Sequence, residues 1–176
     1  MKILVTGNAG SGKSTVSNQI AQILGMNVIG LDGVVWKPGW TKAPNAERKS
    51  QELKIANQPN WIVDGVSHVI QEHADLVIFL DTPRWKSYLR CTRRNSKFLF
   101  RSRPGLPADC PEILIIPKLA KIIWQFPERT EPKILEQTLR NSTEQRFEHI
   151  RTNTELQCVL SNLSKCTNSS LSTNEE

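Results

Sequence analysis

Residues 7–14 read Gly7-Asn8-Ala9-Gly10-Ser11-Gly12-Lys13-Ser14, a complete G-x-x-x-x-G-K-S stretch, and Thr15 follows it. The apolar run Ile3-Leu4-Val5 stands before the stretch, and Val16, Ile20, Ile23 and Leu24 recur behind it at helical spacing. A strand that turns through glycines into a helix is a cradle for phosphate. Glycine lets the backbone bend tightly enough to aim successive N–H groups at one anion. The positive end of the following helix points at the same place. From there Lys13 reaches the β- and γ-oxygens of a nucleoside triphosphate, and the Ser14 hydroxyl ligates Mg²⁺. Residues Gly7 to Thr15 are thus the expected phosphate-binding surface.

Strand and helix signals alternate beyond this point. Gly25 ends the first helix, and residues 27–32 read as a short second strand ending at Asp32. Residues 33–45 are rich in loop formers, and Asn45 is placed to cap a helix through about Ala56. Trp61-Ile62-Val63-Asp64-Gly65 is a third strand. Leu76 to Leu80 is a fourth, apolar without interruption, as a parallel strand covered on both faces must be. Thr82-Pro83 gives a cap and a first-turn proline for a helix through about Arg94. Residues 101–112 form a loop, Leu119–Phe126 and Pro132–Leu139 two helices, Phe147–Ile150 a last strand and Glu155–Leu163 a last helix. The Ser/Thr/Asn-rich residues 164–176 have nothing to bury and are expected to be disordered. The pattern predicts an α/β fold with a parallel sheet of about five strands and right-handed crossovers.

With 176 residues, the chain has one domain's worth of core. The strand signal starts at Lys2, leaving no room for a signal peptide. No apolar run approaches the roughly 18 residues of a membrane span. Cys91, Cys110, Cys158 and Cys166 lie far apart, which suits reduced thiols and the cytoplasm better than a zinc site or disulfide framework. The net charge of +6 is uneven: eight basic residues and no acid lie between Arg84 and Arg103, leaving the rest slightly acidic. Such a patch serves either nucleic acid or a polyphosphate. With a phosphate loop already present, the polyphosphate needs no second ligand.

Ligands of parallel sheets bind at the carboxyl ends of the strands, where Asp32, Asp64 and Asp81 all fall. Asp64 and Asp81 both follow an apolar strand and qualify as the acid near Mg²⁺. Asp81 precedes Thr-Pro and fits a turn into the next helix. Asp64 precedes glycine, which permits close approach to a ligand, so Ser14 and Asp64 are the expected metal residues. Asp32 reads either as a base or acceptor for a second substrate, or as a cap of its own turn. Arg90, Arg93 and Arg94 share a helix face near a loop bearing Arg101 and Arg103. Arginines on a closing loop exclude water and neutralise a transferring phosphoryl group. Trp36, Trp40, Trp85 and Trp124 could stack on a base, but tryptophans more often fill core, and packing is the expectation for each.

Together these stretches resemble the adenylate-kinase-like nucleotide kinases of the P-loop NTPase class. Within them the chain resembles the DNA topology modulation proteins (FlaR-related). The resemblance runs from residue 1 to about 163 on GNAGSGKST (7–15), LDGVVWKPGW (31–40), WIVDG (61–65), VIFLDTPRW (77–85), RSRPGLPADCPE (101–112) and IIWQFP (122–127). It implies a kinase core over 1–32, 61–94 and 127–163, an acceptor-binding insert over 33–60 and a helical lid over 95–126. It also implies ATP and Mg²⁺ as ligands, Arg90 on the adenine, Arg94 with Arg101 or Arg103 on the phosphates, and Asp64 near magnesium. The group reads Asp-Gly-Asn-Tyr where this chain has Asp64-Gly65-Val66-Ser67, a departure on the acceptor side.

The leading expectation is a small kinase moving the γ-phosphate of ATP to a nucleoside, nucleotide or similar acceptor. Lys13, Asp32, Asp64, Arg94, Arg101 and Arg103 are its expected catalytic residues. The alternative is an ATP-regulated nucleic-acid-binding protein acting on DNA topology or expression, although no helix-turn-helix, zinc or RNA-recognition signature accompanies the basic patch. A GTPase switch lacks its Asn/Thr-Lys-x-Asp guanine reader, and a motor ATPase lacks its Asp-Glu pair.

Overall fold

The computed structural model describes residues 1–102, 106–141, 143 and 145–172, with backbone alone from 166 onward. Five strands form one sheet: β1 (Lys2–Gly7), β2 (Val28–Gly30), β5 (Trp61–Asp64), β6 (Leu76–Leu80) and β7 (Arg146–Ile150). Their spatial order is β2-β5-β1-β6-β7, and every pairing is parallel. The sheet follows from the apolar runs. Ile3, Leu4 and Val5 are at most 1% exposed, and all five residues of β6 are buried, so β1 and β6 occupy the middle with both faces covered.

Alternation along the strands divides the core. Ile3, Val5, Ile62 and Ile78 face α1 (Lys13–Leu24) and α8 (Asn153–Ser172), meeting Val16, Ile20, Val159 and Leu163. Leu4, Trp61, Val63 and Val77 face the other way, onto Ile55 and Ala56 of α3 (Asn45–Ala56) and Ile70 of α4 (His68–Glu72). Phe79 closes the second layer against Phe126 and Ile134, which belong to α6 (Glu112–Arg129) and α7 (Glu131–Arg140).

Several local readings change. α4 had no sequence signal beyond five residues; Ser67 opens it by accepting the Ile70 N–H at 3.2 Å. Residues 33–42 are more than a loop. They hold α2 (Asp32–Val35) and a hairpin of β3 (Trp36–Lys37) and β4 (Thr41–Lys42), turned by Pro38–Trp40 with Gly39 at φ 72°. The helix α5 (Arg84–Asn95) starts after Pro83 rather than at it, so Thr82 is no cap; its hydroxyl donates to the Ser11 carbonyl instead. α6 begins at Glu112 rather than Leu119 and runs through Pro117 and Pro127, each of which removes an N–H donor and sets its ring against the carbonyl four residues back. α8 continues to Ser172, past the expected tail start at residue 164, because extending a formed helix costs far less than nucleating one. Its start is a capping box: Thr152 Oγ1 accepts from Glu155 N at 3.2 Å, and Glu155 Oε2 accepts from Thr152 N at 3.1 Å.

The register lines up the functional edge. Val5 pairs with Asp64, Gly30 with Asp64 and Gly7 with Leu80, so three strand ends meet where the glycine loop leaves β1. Buried Gln71 and Gln145 tie α7 and β7 to that frame: Gln71 Nε2 donates to Ile134 O at 3.0 Å, and Gln145 Nε2 to Ala74 O at 2.8 Å. Trp61 is 1% exposed at the centre of the second layer. Trp61→Ala is expected to lower the unfolding free energy by about 3–5 kcal/mol, read from urea denaturation.

Candidate functional site

The glycine loop is pressed onto its neighbours. Gly10 sits at φ 76°, and a Cβ there would lie 2.6 Å from the Ser87 carbonyl oxygen and 2.8 Å from Cys91 Sγ. Gly7, at φ 145°, is as tight: its Cβ would meet the Leu80 carbonyl at 2.6 Å. No other residue fits at either point. Asn8, 3% exposed, braces the curve by donating to Ile123 O at 3.0 Å and accepting from Ala9 N at 2.7 Å. The Ser11 carbonyl accepts from Arg90 Nη1 at 3.1 Å, which ties the loop to α5.

Lys13 Nζ donates to the carbonyls of Gly7 at 3.1 Å and Asn8 at 2.9 Å. Burial lowers its pKa from the ordinary value near 10.5, and Asp64 and Asp32 oppose that shift. Ser14 Oγ donates to Asp64 Oδ2 at 2.5 Å. The loop serine and the strand-end acid, 50 residues apart in sequence, therefore share one point. Both are hard oxygen donors of the kind Mg²⁺ takes.

A cleft of about 690 Å³ opens above these groups. Its walls include the loop, Asp32, Asp64, Arg90 and Arg94, and so unite most of the expected site residues. Arg94 donates to Asn95 Oδ1 at 3.2 Å and adds positive charge near Lys13. Arg101 does not line the cleft; its guanidinium lies 5.8 Å from the Phe98 ring centroid. Arg103 falls outside the described residues. Asp81 serves neither the metal point nor a cap: it accepts from Arg151 Nε at 3.2 Å and lies 3.0 Å from His149 Nε2. The rest of the basic stretch is divided. Arg84 pairs with Glu128 at 3.0 Å, while Lys86, Arg93 and Lys97 face outward.

The far wall was not foreseen. Trp36 and Trp40 line the cleft with ring centroids 5.3 Å apart, and Phe98 and the 1% exposed Glu112 join them. The expectation of core packing fails for the four tryptophans. Trp85 and Trp124 are 64% and 57% exposed, and Trp36 and Trp40 are half-buried in the hairpin. The available signal was the spacing Trp-Lys-Pro-Gly-Trp, whose central turn brings both rings to one side of a hairpin.

No protein-family model and no curated protein sequence matches the chain. Solved structures do. A shikimate kinase from Acinetobacter baumannii in complex with shikimate aligns over 99% of this chain and 94% of its own, with TM-score 0.54 and 16% identity. A deoxyadenosine kinase from M. mycoides with bound dATP aligns over 93% and 99%, with TM-score 0.53 and 17% identity. The same kinase with products dCMP and a flexible dCDP bound gives 0.54 over 94% and 100%. The fold is a P-loop kinase fold. Among the described residues no helix is long and apolar enough to cross a membrane.

Two outcomes follow from the loop. Gly10→Ala forces the loop off α5 and is expected to lower the melting temperature, read by thermal denaturation. Because Lys13 has a depressed pKa when folded, the unfolded chain binds more protons between that pKa and about 10.5, and the Lys13 contribution grows more favourable as pH rises through that window. Lys13→Met is expected to remove this alkaline rise without lowering the melting temperature at neutral pH, as pH-resolved thermal melts would read.

Proposed function

We propose that the protein is a small kinase that transfers the γ-phosphoryl group of ATP to a hydroxyl-bearing acceptor. The observation that carries this reading is one cleft holding the glycine loop, the Ser14–Asp64 pair, Asp32 and the α5 arginines. The three-part kinase organisation, Mg²⁺ as the metal, a cytoplasmic setting and the resemblance to the DNA topology modulation group belong to the same proposal. The fold neighbours named as kinases support it.

The loop N–H groups hold the triphosphate, and Lys13 exchanges its two loop carbonyls for phosphate oxygens. Ser14 and Asp64 would hold Mg²⁺, which would supply positive charge to the phosphates. Arg94 places positive charge beside the moving group, and Arg90 keeps the loop seated. Asp32 orients the acceptor hydroxyl and takes its proton. The acceptor oxygen forms a bond to the γ-phosphorus, the bond to the bridging oxygen breaks, and its electron pair leaves with ADP.

ADP release in the presence of acceptor panels tests the proposal. If no nucleoside, nucleotide or small hydroxylated metabolite raises it above the acceptor-free rate, the reading is lost. Asp64→Asn is expected to lower kcat roughly 10- to 100-fold and to raise the magnesium concentration needed for half-maximal rate. Lys13→Met is expected to abolish acceptor-dependent release, measured by a coupled ADP assay.

A further inference from the structure

We propose that Asn8 is a positioning residue. It holds α6 through the carbonyl that Pro127 leaves without a helical donor, and so couples phosphate in the loop to the position of α6 along the cleft. The coupling rests on the loop taking a triphosphate, as in the kinase reading above.

Position 127 lies four residues beyond Ile123 in α6, so its N–H would bond the Ile123 carbonyl in an unbroken helix. Proline has no N–H, and its ring crowds that carbonyl away from the helix axis. Pro117 does the same to Ile113, but Ile113 is 45% exposed and solvent serves its carbonyl. Ile123 is 1% exposed, and a buried carbonyl without a donor is costly. Asn8 supplies the donor. Its Nδ2 lies 3.0 Å from Ile123 O, while Oδ1 of the same amide accepts from Ala9 N at 2.7 Å. Asn8, Phe126 and Pro127 line one small cavity, which places the proline beside the amide. Making both bonds takes a donor and an acceptor on one short side chain. Aspartate would set a carboxylate against the Ile123 carbonyl.

The bond joins the loop to the helix that gives the cleft Ile115, Leu119, Ile122 and Phe126. Gly7 and Gly10 seat the loop against β6 and α5, and Asn8 makes α6 its third support. A triphosphate draws the loop N–H groups onto one anion and removes their freedom. α6, held by the same loop, loses freedom with it. By reciprocity, a seated α6 presets the loop for phosphate. Tyr88 also holds α6, its hydroxyl donating to Ala120 O at 2.7 Å, but it does so from α5 rather than from the loop.

Amide hydrogen exchange and urea denaturation of the full chain, alone and saturated with Mg²⁺ and the β,γ-imido analogue of ATP, test the coupling. In the wild type the analogue is expected to slow exchange at residues 119–126 on the order of tenfold. In Asn8→Ala that slowing is expected to vanish even at saturation, and the analogue to bind about tenfold more weakly. Pro127→Ala gives the Ile123 carbonyl a helical donor. It is expected to shrink the slowing without lowering the urea midpoint, which a purely structural role would not produce. Tyr88→Phe is expected to lower the midpoint and keep the slowing. The midpoint lost to Asn8→Ala is expected to be smaller on the Pro127→Ala background than on the wild type. Slowing that survives in saturated Asn8→Ala comes from direct contact with the analogue and overturns the inference, as does strict additivity of the two substitutions. A wild type that binds the analogue with α6 unchanged overturns it and leaves the kinase reading standing. A wild type that fails to bind the analogue loses both. Should Asn8→Ala not fold, Pro127→Ala decides: undiminished slowing there overturns the coupling.

Discussion

The rest of the structure depends on the seating of the glycine loop against the ends of its neighbours. Gly7 rests on the Leu80 carbonyl and Gly10 on the Ser87 carbonyl, each too close for any side chain. That contact fixes the distance between β1, β6 and α5. Once it is fixed, the parallel register brings Asp64 beside Ser14 and lets Arg90 reach the Ser11 carbonyl. The site is therefore a consequence of backbone packing first and of side-chain chemistry second.

The opposite wall is set by a different joint. The hairpin meets the segment before α6 through Gly39 N donating to Asp109 O at 3.0 Å and the Trp40 indole donating to Pro111 O at 2.8 Å. Trp40 and Asp109 both adopt φ 56°, a left-handed conformation that costs a residue with a Cβ. Strain thus concentrates where the two segments touch, and the return is an aromatic wall held by one backbone bond and one indole bond.

The difference between the two walls explains what could be read in advance. Val5, Asp64 and Leu80 lie on strands whose apolar runs announce themselves, and the loop glycines carry a motif with a direct steric cause, so the sheet, the loop and the Ser14–Asp64 contact were legible. Trp36 and Trp40 were not, because a tryptophan's letter says nothing about which side of a short hairpin it faces. α4 was invisible because five residues are too few for a periodic signal. Asp81 was read as a turn residue, yet its partners His149 and Arg151 lie some 70 positions onward, a distance no local rule reaches. Glu112 reached the cleft only because α6 starts well before Leu119 and carries on through Pro117.

Lys13 shows how function and stability oppose each other in this arrangement. Its ammonium is buried where burial disfavours charge, and the two loop carbonyls together with Asp64 and Asp32 only partly offset that. A residue chosen for stability alone would be apolar here. Under the proposed function the penalty has a use: a buried cation with weak neutral partners exchanges them readily for phosphate oxygens, whose charge-assisted bonds are stronger. The two carboxylates that oppose the shift come from Asp64 at the end of β5 and Asp32 just beyond β2, neighbouring strands in the sheet, so the fold that places this cation also tunes it.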